Sequence, residues 1–141
     1  MLETVEYRLP LPQPGPDDQA FWEGCKAHEL RIQRCSSCGA LRYWGQPMCP
    51  ACNSLEHEPV VASGRGQIWS YTTTYHGFSR AWKEAVPYTV VVVELDEGPR
   101  MTSNLVDADP ASIKVGLPVE VAWDDVTAEV TLPKFRLARP A

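Results

Sequence analysis

Several absences narrow the reading of this sequence. No long apolar stretch exists: the longest aliphatic run is Val90 to Val93, far short of the roughly 20 residues that a membrane-spanning helix needs. Met1 to Glu6 carries neither a basic cluster nor an apolar run, so no secretory leader is expected there. A cytoplasmic, reducing location without a membrane partner follows. Basic residues are in deficit: 13 Lys and Arg face 18 Asp and Glu, for a net charge of −5. No Lys/Arg stripe offsets that balance. Phosphate contacts supply most nucleic-acid affinity, so a nucleic-acid partner is disfavoured. Histidine is scarce as well. His28, His57 and His76 fall in three separate stretches, and no nucleophile–base pair stands out. No residue is therefore assigned a catalytic role. Internal repeats and low-complexity segments are also missing.

What the chain has is proline and glycine, 13 and 9 in 141 residues. That favours short strands and turns over long helices. A hydrophobic share of 44% supports one modest core, as a single domain or a small domain with a metal-held module. Charge is uneven. Residues 24–55 carry Lys26, Arg31, Arg34 and Arg42 against Glu29, whereas residues 94–129 carry nine acids against Arg100 and Lys114.

The cysteines concentrate the chemistry. Cys35-Ser-Ser-Cys38-Gly39 is followed by Cys49-Pro50-Ala51-Cys52, with ten residues between Cys38 and Cys49. Two Cys-x-x-Cys pairs place four thiolates where they can converge on one tetrahedral ion, and zinc suits such a soft, closed set. Each knuckle needs a residue that accepts positive φ after its second cysteine; Gly39 and Asn53 take those places. Two disulfides, or iron in place of zinc, are the alternatives. Four protein ligands leave no open coordination position, so Cys35, Cys38, Cys49 and Cys52 are expected to hold structure and not to perform catalysis. Some of the local basic surplus offsets the two excess negative charges of four thiolates on a divalent ion. Cys25 reads as a buried small hydrophobe.

Along the chain, Pro10, Pro12, Pro14 and Pro16 make residues 1–16 an extended arm. A helix is expected over Asp17 to Leu30, capped by Asp17 or Asp18. Phe21, Trp22 and Cys25 form its apolar stripe, with His28 one turn on. That stripe covers either the protein's own core or a partner, and Phe21 and Trp22 are the candidate partner-facing residues. Gly24 within it implies a close neighbour. Short strands at Leu30–Gln33, Leu41–Trp44 and Glu56–Val61 make a zinc ribbon. Gly64-Arg65-Gly66 reads as a turn. Gln67 to Tyr75 alternates as a strand, with Ile68, Ser70, Thr72 and Thr74 on one side. His76 to Val86 is a loop with a helical turn. Tyr88 to Leu95 is a strand buried on both faces. Arg100–Val106, Val119–Trp123 and Glu129–Leu132 complete five strands, which suit a small Greek-key barrel of the OB type. The fold is thus mainly β: an arm and helix (1–30), a zinc ribbon (31–60) and a five-stranded OB-fold barrel (61–141).

Phe21-Trp22-Glu23-Gly24, the two knuckles, Gly64-Arg65-Gly66, Tyr71-Thr72, Val93-Glu94-Leu95-Asp96-Glu97-Gly98, Asn104-Leu105-Val106 and Leu132-Pro133-x-Phe135-Arg136 together resemble the DUF35 family over nearly the whole chain. The resemblance implies N-terminal helices, a rubredoxin-like zinc ribbon and an OB-fold. It also implies a small subunit of acyl-CoA enzymes of the thiolase superfamily: thiolases, hydroxymethylglutaryl-CoA synthase-type enzymes, or thiolase-like retro-aldolases. In such assemblies the catalytic Cys/His set sits in the large partner, and the small subunit serves assembly, activity and CoA-ester binding. Other relatives pair with, or are fused to, hotdog-fold enoyl-CoA hydratases.

The expected function is therefore an accessory subunit, not catalytic alone, in a hetero-oligomer (two plus two, for example) that makes or cleaves C–C bonds in lipid or aromatic degradation. The loop residues Tyr75, His76, Phe78, Arg80, Trp82 and Lys83 combine apolar area with positive charge, which a partner surface or the phosphates and adenine of CoA would take. A single-stranded nucleic-acid-binding OB protein, with Trp69, Tyr71, Tyr75 and Trp82 stacking bases, is the reading from another class. A redox protein with iron in the knuckles is the third.

Overall fold

In the computed structural model, residues 7–139 are described. Met1 to Glu6 of the expected arm lie outside them, as do residues 140 and 141. The arm runs without regular structure to Pro16, and helix α1 occupies Gln19–Lys26. It is shorter at both ends than the expected Asp17–Leu30, for identifiable reasons. Asp18 stands at the N-cap but does not cap the helix. Its carboxylate instead accepts the Gly15 N–H at 2.6 Å and the Trp22 indole N–H at 3.0 Å. At the other end His28 takes φ 58°. The Glu29 N–H then donates to the Gly24 carbonyl at 2.8 Å and the His28 N–H to Cys25 at 2.9 Å. This paired closure stops a helix through a left-handed residue. Leu30 is thereby released to begin a strand.

Three strands follow: β1 (Leu30–Cys35), β2 (Leu41–Arg42) and β3 (His57–Ala62). They form an antiparallel sheet in the order β2-β1-β3. Leu30 and Ile32 point inward from β1 beneath Phe21 and Cys25 of α1, and all four are buried. Gly24 has the close neighbour its position implies: a Cβ there would lie 2.7 Å from the Glu29 carbonyl oxygen.

Strands β4 (Arg65–Thr74), β5 (Tyr88–Leu95), β6 (Arg100–Leu105), β7 (Pro118–Asp125) and β8 (Thr131–Leu137) close a barrel in the order β4-β5-β6-β8-β7. A short helix α2 (Arg80–Lys83) interrupts the β4–β5 connection. Closure depends on one parallel bridge, Leu105 to Phe135; every other neighbouring pair is antiparallel. A closed barrel leaves no free edge to aggregate. Its core of Ile68, Val91, Val93, Leu95, Met101, Val119 and Phe135 is continuous with Phe21, Leu30 and Ile32, so ribbon and barrel share one interior.

Four local expectations need correction. Strand β5 is not buried on both faces: Thr89, Val91, Val93 and Leu95 are buried, and the residues between them are half-exposed. Its valines face a barrel interior on one side only. In β4 a bulge at Trp69 shifts the pairing between Ile68 and Ser70. The extra residue reverses the alternation, so Tyr71 and Thr73, opposite Val91 and Thr89, share the face of Ile68. Gly64 alone makes the turn, at φ 78°. Gly66 already lies in β4, where a Cβ would run into the Glu94 carbonyl. The last strand spans Thr131–Leu137, later than the expected Glu129–Leu132, and accommodates Pro133.

Candidate functional site

The two cysteine knuckles repeat one backbone design. In the first, the Gly39 N–H donates to the Cys35 carbonyl at 2.9 Å and the Cys35 N–H to Ala40 at 2.9 Å. In the second, the Asn53 N–H donates to Cys49 at 2.8 Å and the Cys49 N–H to Ser54 at 2.9 Å. Gly39 and Asn53 have φ of 77° and 63°, the left-handed turns that the sequence predicts at those positions. A hydroxyl bond from Ser37 to Ser54, 2.9 Å, ties the knuckles together.

The four sulfurs lie within 4.8 Å of one another. Cys35 and Cys52 are 3.6 Å apart, and Cys38 and Cys49 are 3.7 Å apart. Zinc–sulfur bonds of about 2.3 Å put tetrahedral ligands about 3.8 Å apart, so the spacing fits the ion. All five cysteines are free, which removes the disulfide alternative. The electrostatics also call for a cation. Cys35 is drawn down to about 6, first by the Cys38 N–H, and Cys49 is lowered chiefly by the Cys52 N–H. Cys52 receives a lowering bond from the Ser54 N–H, yet contact with its neighbouring cysteines, first Cys35, pushes it up to about 12. The loops thus favour thiolates, and four thiolates this close repel unless a divalent ion holds them. With four protein ligands the structural zinc site is closed. Cys25 is different: burial drives its thiol to about 12, and its sulfur lies in the core.

The ribbon is fastened to α1 by aromatics. Phe21 meets Trp22 at 5.1 Å and Tyr43 at 5.5 Å, both edge-on. Phe21 is buried and unavailable to a partner; of the two helix candidates only Trp22 keeps some surface. Burial raises the Tyr43 hydroxyl to about 12.

The second candidate region is the β4–β5 connection. Tyr75 and Phe78 are 69% and 85% exposed. The His76 ring meets Phe78 edge-on at 4.9 Å. Arg80 and Lys83 stand exposed on α2. Trp82 turns the other way, onto Tyr88 at 5.0 Å, and separates from the other five. There it helps line a 530 Å³ cleft with Tyr7, Leu9, Asn104, Leu132 and Lys134. Alternating prolines marked the arm as extended, but nothing local in the sequence told that Tyr7 and Leu9 meet this cleft. Nor did any local pattern pair His28 with Asp125 at 2.9 Å and stack it on Trp123 at 5.5 Å. Among the described residues no helix is long and apolar enough to cross a membrane.

Comparison with known proteins matches both parts of the chain. Residues 22–58 match the rubredoxin-like zinc ribbon domain of ChsH2, and residues 59–124 its C-terminal OB-fold domain. A solved structure described as the Ltp2-ChsH2(DUF35) aldolase superposes with a TM-score of 0.82 at 39% identity, covering 90% of this chain and 98% of that one. A probable enoyl-CoA hydratase alpha subunit of Thermomonospora curvata is 43% identical over 98% of this chain, which spans only 44% of that longer relative. A DUF35 domain-containing scaffold protein of Methanothermobacter thermautotrophicus is 36% identical over 92% of this chain and 87% of its own. The benzoylsuccinyl-CoA thiolase subunit BbsA of Thauera aromatica is 30% identical over 68% of this chain and 64% of its own.

Proposed function

The chain belongs to the DUF35 family, and from that premise we propose that it is a non-catalytic accessory subunit of an acyl-CoA-processing enzyme of the thiolase superfamily. The observation that carries the reading is the near-complete coverage of the DUF35 chain in the aldolase structure: 90% of this chain corresponds to 98% of that one. The thiolase subunit among its relatives supports the same class. The division into arm and helix (1–30), zinc ribbon (31–60) and barrel (61–141) follows the same logic. Zinc sets the ribbon, the shared core carries that rigidity into the barrel, and the barrel presents the β4–β5 loop to the catalytic subunit and its CoA ester. A catalytic thiolase-fold subunit, a hetero-oligomer of two plus two and a cytoplasmic site complete the proposal.

The test is reconstitution. The purified chain is mixed with a catalytic thiolase-superfamily subunit from the same source, and complex mass and turnover of its CoA ester are measured. A stable complex with raised turnover is expected; no complex and unchanged turnover sink the reading. A second reading, partner of a hotdog-fold enoyl-CoA hydratase, is prompted by the hydratase relative. It is less favoured because more than half of that relative lies outside the matched unit. A complex with a hydratase subunit and none with a thiolase-fold subunit would reverse the order.

A further inference from the structure

We infer that Phe78 is the anchor by which the chain holds its catalytic subunit, seated in an apolar pocket whose rim carries carboxylates that take Arg80 and Lys83. The inference rests on the accessory-subunit reading and assigns that contact its chemistry.

A phenyl ring 85% exposed is costly to leave in water and gains most when a partner buries it. Here the ring is presented and not merely loose. Gly77 behind it is buried, and a Cβ there would lie 2.6 Å from the backbone of Lys83. The turn is therefore pressed against α2, whose Trp82 is in turn held on Tyr88. His76 supports one edge of the Phe78 ring at 4.9 Å. Tyr75, 69% exposed, extends the apolar patch. Anchors that are already ordered lose less entropy on binding, and such aromatics carry most of an interface's energy.

Charge selects the pocket. The chain carries a net −5, yet this loop sets exposed Arg80 and Lys83 against the single carboxylate of Glu84, and neither cation belongs to an ion pair among the described residues. An acidic rim is complementary to that local surplus and would steer association. Leu55, 71% exposed on the ribbon, has no such cationic pair beside it and serves as the control.

The experiment measures binding of the full chain to its catalytic subunit by surface-immobilised kinetics at several salt concentrations, with zinc content and melting recorded for each variant. Phe78→Ala should weaken Kd by roughly 30-fold or more, mostly through faster dissociation. Arg80→Glu with Lys83→Glu should slow association and flatten its salt dependence. Leu55→Ala should leave Kd unchanged. Phe78 is exposed, so folding should be untouched in its variant. If the wild-type chain binds and Phe78→Ala binds equally well, the anchor is wrong while the accessory reading stands. If the wild-type chain does not bind at all, the accessory reading itself fails. If the double charge reversal leaves association unchanged but raises KM for the CoA ester, the two cations meet phosphate and the acidic rim is overturned. If Phe78→Ala only dissolves a homodimer, the occupant is a second copy and the proposal falls.

Discussion

His28 Nε2 and Asp125 Oδ1 meet at 2.9 Å across 97 residues of sequence, joining the end of α1 to the end of β7. The imidazole also lies flat on Trp123, with ring planes 4° apart. Asp125 accepts a second bond, from the Thr131 hydroxyl of β8. Three segments thus meet at one carboxylate. The left-handed backbone that ends α1 is what swings His28 to this place.

The pair should make stability depend on acid pH. The Thr131 hydroxyl bond and then the His28 bond hold the Asp125 carboxyl below its ordinary range. A depressed carboxyl contributes stability above its unfolded pKa, and the contribution is lost as pH falls through the folded pKa. Wild type should therefore exceed Asp125→Asn in urea midpoint at pH 7, and the gap should close as the pH is taken well below 4. His28→Gly keeps the positive φ without strain; it leaves the Thr131 bond in place but gives up the Trp123 stack, and should also lose stability at pH 7. A gap that stays constant from pH 7 to acid would remove the carboxylate from the account.

The ribbon and its ligands were legible in the sequence because local rules decide them. A Cys-x-x-Cys knuckle needs a particular backbone turn, and Gly39 and Asn53 announce it. The tally of barrel strands was legible for a similar reason, since turn residues punctuate them. The rest is tertiary. Nothing near Trp69 predicts that β4 bulges there, because the bulge belongs to its pairing with β5, a strand further along the chain. Pro133 looks like a strand breaker, yet β8 continues through it opposite Trp123. Asp18 looks like a helix cap, but a nearby indole and the Gly15 amide claim its oxygens. The Tyr7–Leu9 cleft and the His28 contact depend on elements far apart in sequence.

Zinc should be separable from the fifth cysteine. The wild-type chain should contain close to one zinc per molecule by metal analysis and be colourless. A red protein with iron would require revising the metal. Cys49→Ser should lose the ion and, with it, the ribbon and complex assembly, with no separate chemical step lost. Cys25→Ser should keep the ion and instead destabilise the core by about 1–3 kcal/mol, the usual cost of burying an unpartnered hydroxyl. Alkylation of the native holoprotein should spare Cys25, whose thiol burial holds near 12, as well as the four metal-bound sulfurs. Chelator should expose the four first.

Gly24→Ala sets two effects against each other. Within a helix the change gains up to about 1 kcal/mol in propensity. The new methyl, however, would stand 2.7 Å from the Glu29 carbonyl oxygen and 2.7 Å from Arg31 Cγ. The Arg31 side chain can move aside. The Glu29 carbonyl cannot do so freely, because the amide of the same residue is bonded to the Gly24 carbonyl. Steric cost of about 1–3 kcal/mol wins, so the variant should be less stable in chemical denaturation. A gain in stability for Gly24→Ala would mean that the α1 closure is looser than this geometry.

Phe135 is the residue on which barrel closure turns. Its side chain is fully buried. Its strand position makes the bridge to Leu105 of β6 and pairs with Val121 of β7, and its carbonyl accepts the Val106 N–H at 2.8 Å. Truncation to Ala keeps the backbone bonds available but empties the centre of the core. Burial of this size is worth about 3–5 kcal/mol, a large fraction of the roughly 5–15 kcal/mol that holds a typical domain. Phe135→Leu, which retains most of the volume, should lose distinctly less. Because ribbon and barrel share one core, Phe135→Ala should lower the melting of both together, read by barrel fluorescence and by zinc release. If zinc stays bound in a folded ribbon after the barrel has melted, the two modules unfold independently and the shared core does not couple them.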